Sequence, residues 1–566
     1  KQLQIKVKSE PFTIETPADT LRRRLLLDQA LPIVGNASLG SDLLLKVPDW
    51  PEEDQPSRLQ SSGPHFPWEN GQPLELSLQE ALMVAAANNR DYQTRKEDIF
   101  QTALGLDLER DAFRNSFYGA LESEFLSNQS GEVNVSGVAN RATAQWSRVL
   151  KYGAALSGQI FLDLVKLLTP GSSSSRGLYA DATISIPLLA GSGKNIVTEP
   201  LIQAERDVLY SMYTFERFKK QLAVQIATEY LSVLRQQDVL KNAQENYKRL
   251  KSGTTRAERM ADAGRLSTVE LDQARQDVLR ARNNWILAYQ SYANQLDSFK
   301  VSMGLPPDSL IELERSELDR LDRLASDALD AGDLMAQVFT RDENETKSTT
   351  PEAIIGQEAD GLFALKPEEA IKLALTNRLD MRVAQDRVTD AQRKVVVAAD
   401  ALRAGLTLTG SALYGERRGI ESADLPDAEL RPNLGIYNLG LLLDLPWERT
   451  EEQNFYRNSY IVLEQRVRDV QELEDQIKIQ VRNALRTLTQ TRESYQIQTL
   501  AEKLARQRVD SAELFLQAGR AQVRDVLDAQ DDFVSAQNAR ISALVDYRIA
   551  ELELQRDMGV IEVDHR

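Results

Sequence analysis

The sequence predicts an α+β protein made of two tandem structural repeats, each with a short helix, several strands and a long helical hairpin. Three observations predict this class. Short motifs recur in the same order in both halves, apolar and polar residues alternate in several segments, and apolar residues follow heptad spacing in four others. The composition narrows the function, because the 566 residues include no Cys, two His and a net charge of −17. Thiol chemistry, disulfides and general nucleic-acid binding are therefore excluded.

Four motif pairs define the repeat. The distance between matching motifs falls from 289 residues at the first pair to 259 at the second, so the first copy carries about thirty extra residues there. The pairs are Leu78–Leu82 with Pro367–Ile371, Pro187 with Pro446, Ala263–Arg265 with Ala518–Arg520, and Met303–Gly304 with Met558–Gly559. The predicted domains are a largely irregular N-terminal extension (1–73), a first repeat (74–305), an acidic linker (306–364), a second repeat (365–562) and a tail (563–566).

Period-two alternation predicts strands with one apolar and one polar face. It is found around residues 143–164, 178–186, 402–409 and 439–445. A soluble antiparallel sheet with one buried face would show the same pattern. Strands of about ten residues, small polar residues on the second face and possible interface aromatics at Trp146, Tyr152 and Trp447 favour a lipid-facing sheet. Roughly four to six strands are too few to close a membrane barrel from one chain, so closure would need several chains.

Heptad spacing predicts two antiparallel helical hairpins. Apolar residues follow it from Ala223 to Tyr247, from Leu271 to Tyr292, from Ile477 to Tyr495 and from Val526 to Tyr547, although Arg540 interrupts the last series. Each hairpin turns at an Ala-Gly-Arg sequence. A helix from about residue 195 to 264 would be roughly 100 Å long. Few globular enzymes need such a rod, whereas a soluble coiled-coil scaffold would use it.

The order of these elements resembles the TolC family of bacterial outer-membrane efflux proteins over nearly all of residues 74–562. Four kinds of motif carry the resemblance: the helix starts LSLQEAL and LKPEEAI, the strand-to-helix junctions ISIPLLAGSGKN and LLLDLPWERT, the hairpin tips AGRLSTVELDQA and AGRAQVRDVLDAQ, and the closing MG pairs. The resemblance implies a homotrimer in the outer membrane. Each chain would give four strands to a twelve-stranded barrel and its helices to a long periplasmic α-helical barrel. Strand-like residues 117–125 and 142–164 depart from this pattern and could form an additional extracellular hairpin.

The resemblance also implies where partners and the pore entrance lie. The hairpin tips would contact a periplasmic adaptor protein that links the duct to an inner-membrane pump; ordinary turn chemistry explains these motifs as well. The tip residues are Gly264, Arg265, Leu266, Ser267, Gly519, Arg520, Ala521 and Val523. Asp510 and Glu513 match the acidic entrance constriction, where three copies would form rings that attract cations; a solvated helix face is the alternative. The carboxylates of Glu312, Glu314, Glu317, Asp319 and Asp322 would form a collar or a solvated charge run.

No catalytic or cofactor site is predicted. The segment Gly191-Ser192-Gly193-Lys194 has Leu188 where a phosphate loop has its first Gly, and Asn195 where that loop has Ser or Thr. We therefore expect no enzyme, no metal and no cofactor, but an exit duct of a tripartite efflux or type I secretion system. An envelope-bridging trimer without a transport role and a soluble coiled-coil scaffold are the alternatives. Single-channel conductance would separate the first of these from a duct, and dependence on detergent would separate the second.

Overall fold

The protein folds as two compact units in a computed structural model, which describes residues 21–39, 73–128, 135–169, 173–264, 267–330, 366–518 and 520–562. The sheet unit comprises the described parts of residues 98–214 and 380–473. The helical unit comprises the described parts of residues 1–97, 215–379 and 474–566.

Long helices and two groups of strands form the regular structure of the described residues. The helices are α1 Leu21–Asp28, α2 Leu78–Asn88, α3 Arg90–Asp111, α4 Lys194–Val197, α5 Glu199–Asp262, α6 Thr268–Ser302, α7 Ser316–Asp330, α8 Pro367–Asn377, α9 Leu379–Asp400, α10 Thr450–Gln517 and α11 Val523–Asp557. The strands are β1 Leu74–Leu76, β2 Ser116–Asn128, β3 Val135–Val149, β4 Ala155–Leu167, β5 Ser174–Pro187, β6 Ile311–Leu313, β7 Gly405–Glu416 and β8 Ile436–Asp444. Within the described ranges, no helix combines the length and the apolarity needed to cross a membrane.

The sheet unit contains six strands rather than the four that the resemblance implies for each chain. Their order is β2-β3-β4-β5-β7-β8, and every neighbouring pair is antiparallel. The difference lies in one connection. Four residues join the end of α9 at Asp400 to the start of β7 at Gly405, whereas the β2–β3 hairpin (Ser116–Val149) stands between α3 and β4. This hairpin lies where the first predicted repeat carries its extra residues.

Two antiparallel helical hairpins are present, as the heptads predict. In α5–α6, the ring of Tyr247 stacks on Trp285 at 5.6 Å, and Thr254 Oγ1 donates to the carbonyl oxygen of Ala274 at 3.2 Å. Every predicted seam residue of α6 is buried or half-buried, and Ala274 and Ala281 are among the fully buried ones. Small residues at seven-residue spacing let the two backbones approach closely along this seam.

The α10–α11 hairpin explains the charged residue that interrupts its heptads. Ile477 and Val481 of α10 are buried, as predicted. Arg540 of α11 lies at a seam position, where it forms ion pairs with Glu502 of α10 and Asp322 of α7. The guanidinium can occupy this seam because two carboxylates offset the cost of desolvating its charge.

A hydrophobic core holds the helical unit together around the parallel β1–β6 pair. The hydroxyl of Tyr230 lies 3.1 Å from the carbonyl oxygen of Leu76 and 2.7 Å from that of Glu314. The Tyr230 ring packs edge-on against Phe299 with centroids 6.0 Å apart. Helix α1 adds Leu25 to this core, so the N-terminal segment that was predicted to be largely irregular contains a packed helix.

Helices at corresponding places in the two predicted repeats have similar lengths and end in the same way. Helices α2 and α8 both have 11 residues, α3 and α9 both have 22, and α6 and α11 both have 35. Gly304 and Gly559, with φ of +81° and +72°, follow α6 and α11. A Cβ at Gly304 would lie 2.0 Å from the carbonyl oxygen of Asn88, and one at Gly559 would lie 3.3 Å from that of Asn377. The backbone after α6 therefore passes very close to the end of α2, and only Gly fits there.

Candidate functional site

The six-stranded sheet has two faces of opposite chemistry. Residues that are paired across neighbouring strands share a face, so the register assigns every side chain. The apolar face carries large hydrophobic side chains on all six strands, and many of them are exposed in the single chain. Its members include Phe117, Leu121, Phe125, Trp146, Ile160, Leu162, Leu164, Ile184, Tyr437, Leu439, Leu441 and Leu443. A continuous exposed apolar surface of this kind is typical of contact with lipid or with another protein.

The polar face carries many small hydroxyl, amide and charged side chains, together with some apolar ones such as Phe161, Val165 and Leu442. One row crosses all six strands with a hydroxyl or amide on each, and Ser157 Oγ lies 2.6 Å from Thr183 Oγ1 within it. The row consists of Ser116, Ser147, Ser157, Thr183, Ser411 and Asn438. Such a surface is suited to water, as the lumen face of a membrane barrel must be.

The three predicted interface aromatics lie at one end of the sheet, the end at which α3 and α9 connect to it. Trp146 is on the apolar face of β3, and its Nε1 donates to Asn115 Oδ1 at 3.2 Å. Tyr152 lies in the turn between β3 and β4, and Trp447 follows β8; both are largely exposed. Their role as membrane anchors stays a prediction.

At the opposite end of the sheet, the loop between β7 and β8 (residues 417–435, the β7–β8 loop) folds over the polar face. Ile420 and Ala423 pack against Val165 and Leu167 of β4. The amide of Ala428 donates to the carbonyl oxygen of Arg176 at 2.7 Å. These contacts hold the loop on the sheet rather than beyond its edge.

Asp163 anchors the β7–β8 loop. This carboxylate lies on the polar face of β4, is almost fully buried, and accepts from the backbone amide of Arg418 at 3.2 Å. Its other oxygen lies 3.1 Å from Nε of Arg141 on β3. Gly177 on β5 makes room for the loop, because a Cβ there would lie 2.6 Å from the amide nitrogen of Arg418. The loop thereby narrows the space above the polar face at this end.

A buried polar network joins α5 to α9 within the sheet unit. Tyr210 donates to Asp390 Oδ2 at 2.6 Å, and Arg393 bridges Asp390 Oδ1 at 2.8 Å and Glu199 Oε2 at 3.0 Å. Burial, together with the hydrogen bond to Asp390, raises the pKa of Tyr210 to about 12. Sequence reasoning did not identify this network, because its members are common on exposed helix faces and only the pairing of α5 with α9 brings them together.

The hairpin tips have well-formed caps. Gly264 ends the first helix of its hairpin with φ +73°, and its amide donates to the carbonyl oxygen of Ala261 at 2.9 Å. Ser267 caps α6: its Oγ accepts from the amide of Glu270 at 3.2 Å while its own amide donates to Glu270 Oε2. Arg265, Leu266 and Gly519 lie outside the described residues. Contact between these tip residues and an adaptor stays a prediction.

At the second tip, the amide of Gln522 donates to Asp525 Oδ2 at 2.8 Å, but its side chain makes no cap hydrogen bond. The Arg520 amide donates to the carbonyl oxygen of Phe515 at 2.8 Å, and α11 begins at Val523, with Ala521 half-buried before it. On α10, the predicted entrance residues Asp510 and Glu513 are exposed side chains in successive turns. Glu513 Oε1 accepts from Gln530 at 3.4 Å.

The acidic linker residues are partly paired with arginines. Asp322 binds Arg540, and Asp319 lies 2.9 Å from Nε of Arg315. Arg315 also pairs with the buried Asp238 of α5, whose pKa is raised mainly by burial despite that guanidinium. These pairs attach α7 to the helical hairpins, and an acidic collar around a helical barrel stays a prediction.

The glycine-rich segment after β5 forms a turn whose amide is already occupied. Gly191 and Gly193 have φ of +75° and +102°, and the amide of Gly191 donates to Asp400 Oδ2 at 2.7 Å. A carboxylate at this position would repel a phosphate. The geometry thus agrees with the sequence argument against a phosphate loop.

Comparison with known proteins identifies the architecture. Residues 133–305 match the family model of the outer membrane efflux proteins. The outer membrane channel CmeC of Campylobacter jejuni aligns with a TM-score of 0.57 at 15% identity, covering 85% of each chain. The outer membrane protein VceC of Vibrio cholerae aligns with a TM-score of 0.56 at 12% identity, covering 85% of this chain and 96% of that one. The MtrE outer membrane channel of Neisseria gonorrhoeae, in its open state, aligns with a TM-score of 0.55 at 14% identity, covering 85% of this chain and 89% of that one.

These findings set how far the similarity reaches. The solved channels share the fold at low identity, and the search of curated proteins found no match. The family match confirms the predicted resemblance to TolC-like outer-membrane efflux proteins. That model covers less than a third of the chain, and the solved channels, at 12 to 15% identity, show the fold alone.

Proposed function

Proceeding from its TolC-like fold and its outer membrane efflux protein region, we propose that three copies of this chain form an exit duct. Their sheets join into one barrel in the outer membrane, and their hairpins join into one periplasmic helical barrel. The family pattern would supply twelve strands, four from each copy. Two tandem repeats in each chain, supported by the equal lengths of α2 and α8 and of α6 and α11, give the helical barrel its pseudo-sixfold symmetry.

The two-faced sheet is the observation that carries this proposal. Within the described residues, the sheet has an apolar face with exposed large side chains on β2, β4, β5 and β8, a mainly polar second face, and unpaired edges at β2 and β8. Strands in lipid must satisfy all their backbone hydrogen bonds, which requires that the sheet closes on itself. One chain leaves both edges open, whereas copies related by rotation close them and enclose the polar face around water.

The transport partners follow from the same proposal. An adaptor protein would contact the hairpin tips at Gly264, Ser267, Arg520 and Val523, and an inner-membrane pump would choose the cargo. Asp510 and Glu513 would repeat three times around the entrance and favour cations there. Because the duct itself performs no chemistry, it would serve either a tripartite efflux pump or a type I secretion system.

Two neighbouring leucines of β8 test the lipid-facing assignment. Leu441 lies on the apolar face and Leu442 on the polar face, and they are equally exposed in the single chain, at 63% and 64%. Leu441→Lys should cost about 2 to 4 kcal/mol in the membrane, whereas Leu442→Lys would face the lumen and cost little. The readout is the amount of trimer in purified outer membranes.

Equal behaviour of the two variants would show that the apolar face does not meet lipid. The unmodified chain should also purify in detergent as a trimer and conduct ions across a planar bilayer. A soluble monomer would contradict the duct outright, and a membrane trimer without conductance would indicate an envelope-bridging role instead.

A further inference from the structure

The β2–β3 hairpin is an integral part of the sheet. β3 pairs with β4 in thirteen positions from Val149↔Ala155 to Gly137↔Leu167, and β2 pairs with β3 in thirteen more. With 15 residues, β3 is the longest strand of the sheet, and β2, with 13, is as long as β4. Removing the hairpin from the sheet would therefore break the full length of the β3–β4 ladder.

The hairpin also continues both faces of the sheet, although Ser123 and Asn140 form one polar pair on the apolar face. Phe117, Leu121 and Phe125 of β2 stand on the apolar face, and all three are exposed. On the polar face, Arg141 of β3 joins Glu122 of β2 to Asp163 of β4, at 3.1 Å in each case. The hairpin therefore has the chemistry of a lipid-facing pair of strands rather than that of a water-exposed extracellular loop.

The edges of the six-stranded sheet are unprotected and run in opposite directions. Edge strands of soluble sheets are usually shielded by Lys, Pro or bulges. Neither β2 (SFYGALESEFLSN) nor β8 (IYNLGLLLD) contains Lys or Pro. Because six strands alternate in direction, β8 of one copy meets β2 of the next in antiparallel orientation. An even number of strands per copy is what a closed antiparallel barrel requires.

We infer that β2 of each copy pairs with β8 of its neighbour, so that the barrel contains eighteen strands rather than twelve. This inference rests on the proposed trimer, because six strands from each of three copies give eighteen. Barrel diameter grows almost linearly with strand number, so this barrel would be about 1.5 times as wide as a twelve-stranded one. The β7–β8 loop, folded over the polar face, would occupy part of that additional width.

The chain contains no Cys, so single cysteines can map the contact between copies. Leu121 of β2 and Leu162 of β4 lie in one row of the apolar face, on either side of β3. Leu121→Cys would be combined with Cys at Tyr437, Leu439, Leu441 or Leu443 in turn, and Leu162→Cys would be combined with the same series. Oxidation in native membranes followed by a denaturing gel measures covalent linkage between chains.

The two series discriminate between the two barrels. In an eighteen-stranded barrel, at least one Leu121 pair links the chains and no Leu162 pair does. In a twelve-stranded barrel, β4 is the edge strand, so the Leu162 series would link the chains and overturn the inference. Linkage from neither series would also overturn it. The size of the unlinked particle in detergent is measured separately, and a particle that is not a trimer would contradict the proposed function itself.

Imaging of the particle gives a second, independent test. In one variant, residues 112–154 are replaced by a copy of residues 401–404, which already joins the equivalent helix and strand between α9 and β7. We expect eighteen strands in the unmodified trimer and twelve in the variant. A three-fold particle that already shows twelve strands with the hairpin intact would refute the inference while leaving the duct in place.

Discussion

Three glycines with nearly the same backbone conformation should differ widely in their tolerance of alanine. Gly264, Gly559 and Gly304 have φ of +73°, +72° and +81°. Left-handed backbone costs a residue with a Cβ about 1 to 2 kcal/mol, so this part of the penalty is shared. The space available for the new Cβ, however, differs between the three positions. A new Cβ meets nothing within 4 Å at Gly264, lies 3.3 Å from a carbonyl oxygen at Gly559, and lies 2.0 Å from one at Gly304.

The expected costs follow from these distances. Gly264→Ala should lower the free energy of unfolding by about 1 to 2 kcal/mol, and Gly559→Ala should lower it slightly more. Gly304→Ala adds a collision with the backbone of Asn88, and overpacking of this kind costs about 1 to 3 kcal/mol more. Heat denaturation of the detergent-purified protein, followed by tryptophan fluorescence, should rank the variants in this order. Equal losses at Gly264 and Gly304 would refute the close approach of the α6 end to α2.

Three further predictions concern the polar network, the seam arginine and the β7–β8 loop. Because the pKa of Tyr210 is raised to about 12, its folded form keeps the proton that the unfolded chain loses near pH 10, and its contribution to stability declines between these values. Tyr210→Phe should lower the free energy of unfolding by about 1.5 to 3 kcal/mol at pH 7. It should also remove this part of the decline in stability at alkaline pH, which denaturation at a series of pH values measures. An unchanged dependence of stability on alkaline pH would contradict the network. Arg540→Leu should lower the free energy of unfolding by about 1 to 3 kcal/mol, because it leaves Asp322 and Glu502 without a cation. Arg524→Leu is the control: its exposed pair with Asp528 lies on the same helix, so the loss in the same denaturation assay should be at most about 0.5 kcal/mol. Similar losses in both variants would show that the seam ion pairs add no more stability than an exposed pair. Replacing residues 418–434 with a four-residue turn should raise single-channel conductance, since the loop covers the polar face; unchanged conductance would place the narrowest point elsewhere.

The helices could be predicted well because their signal is local and redundant. The α6 heptad named Ala274 and Ala281 as buried, and both are. The Ala-Gly-Arg motif placed the first turn at Gly264, where the structure has it. Arg540 was identified as an exception to its heptad, but its two carboxylate partners come from other helices. The sequence spacing within α11 carries no information about them.

The sheet could be predicted only in part because strand pairing is a long-range property. Alternation identified residues 143–164 as strand-like, yet it did not show the turn at Gly153 that divides them into β3 and β4. β2 shows mixed alternation, since Glu122 and Glu124 share the polar face with Leu126, and only its register against β3 identifies the faces. The length difference and the strand-like residues 117–125 and 142–164 predict an additional hairpin, but only the structure places it in the sheet.

The β2–β3 hairpin leaves and rejoins the chain at the same end of the sheet, next to α3 and the turn before β4. An insertion with this topology changes neither the direction of any later strand nor the level at which the following helices start. In the barrel that we infer, one insertion would therefore change the circumference by two strands per subunit, without a change in the helical hairpins. Pore width and adaptor contact would then be open to independent selection.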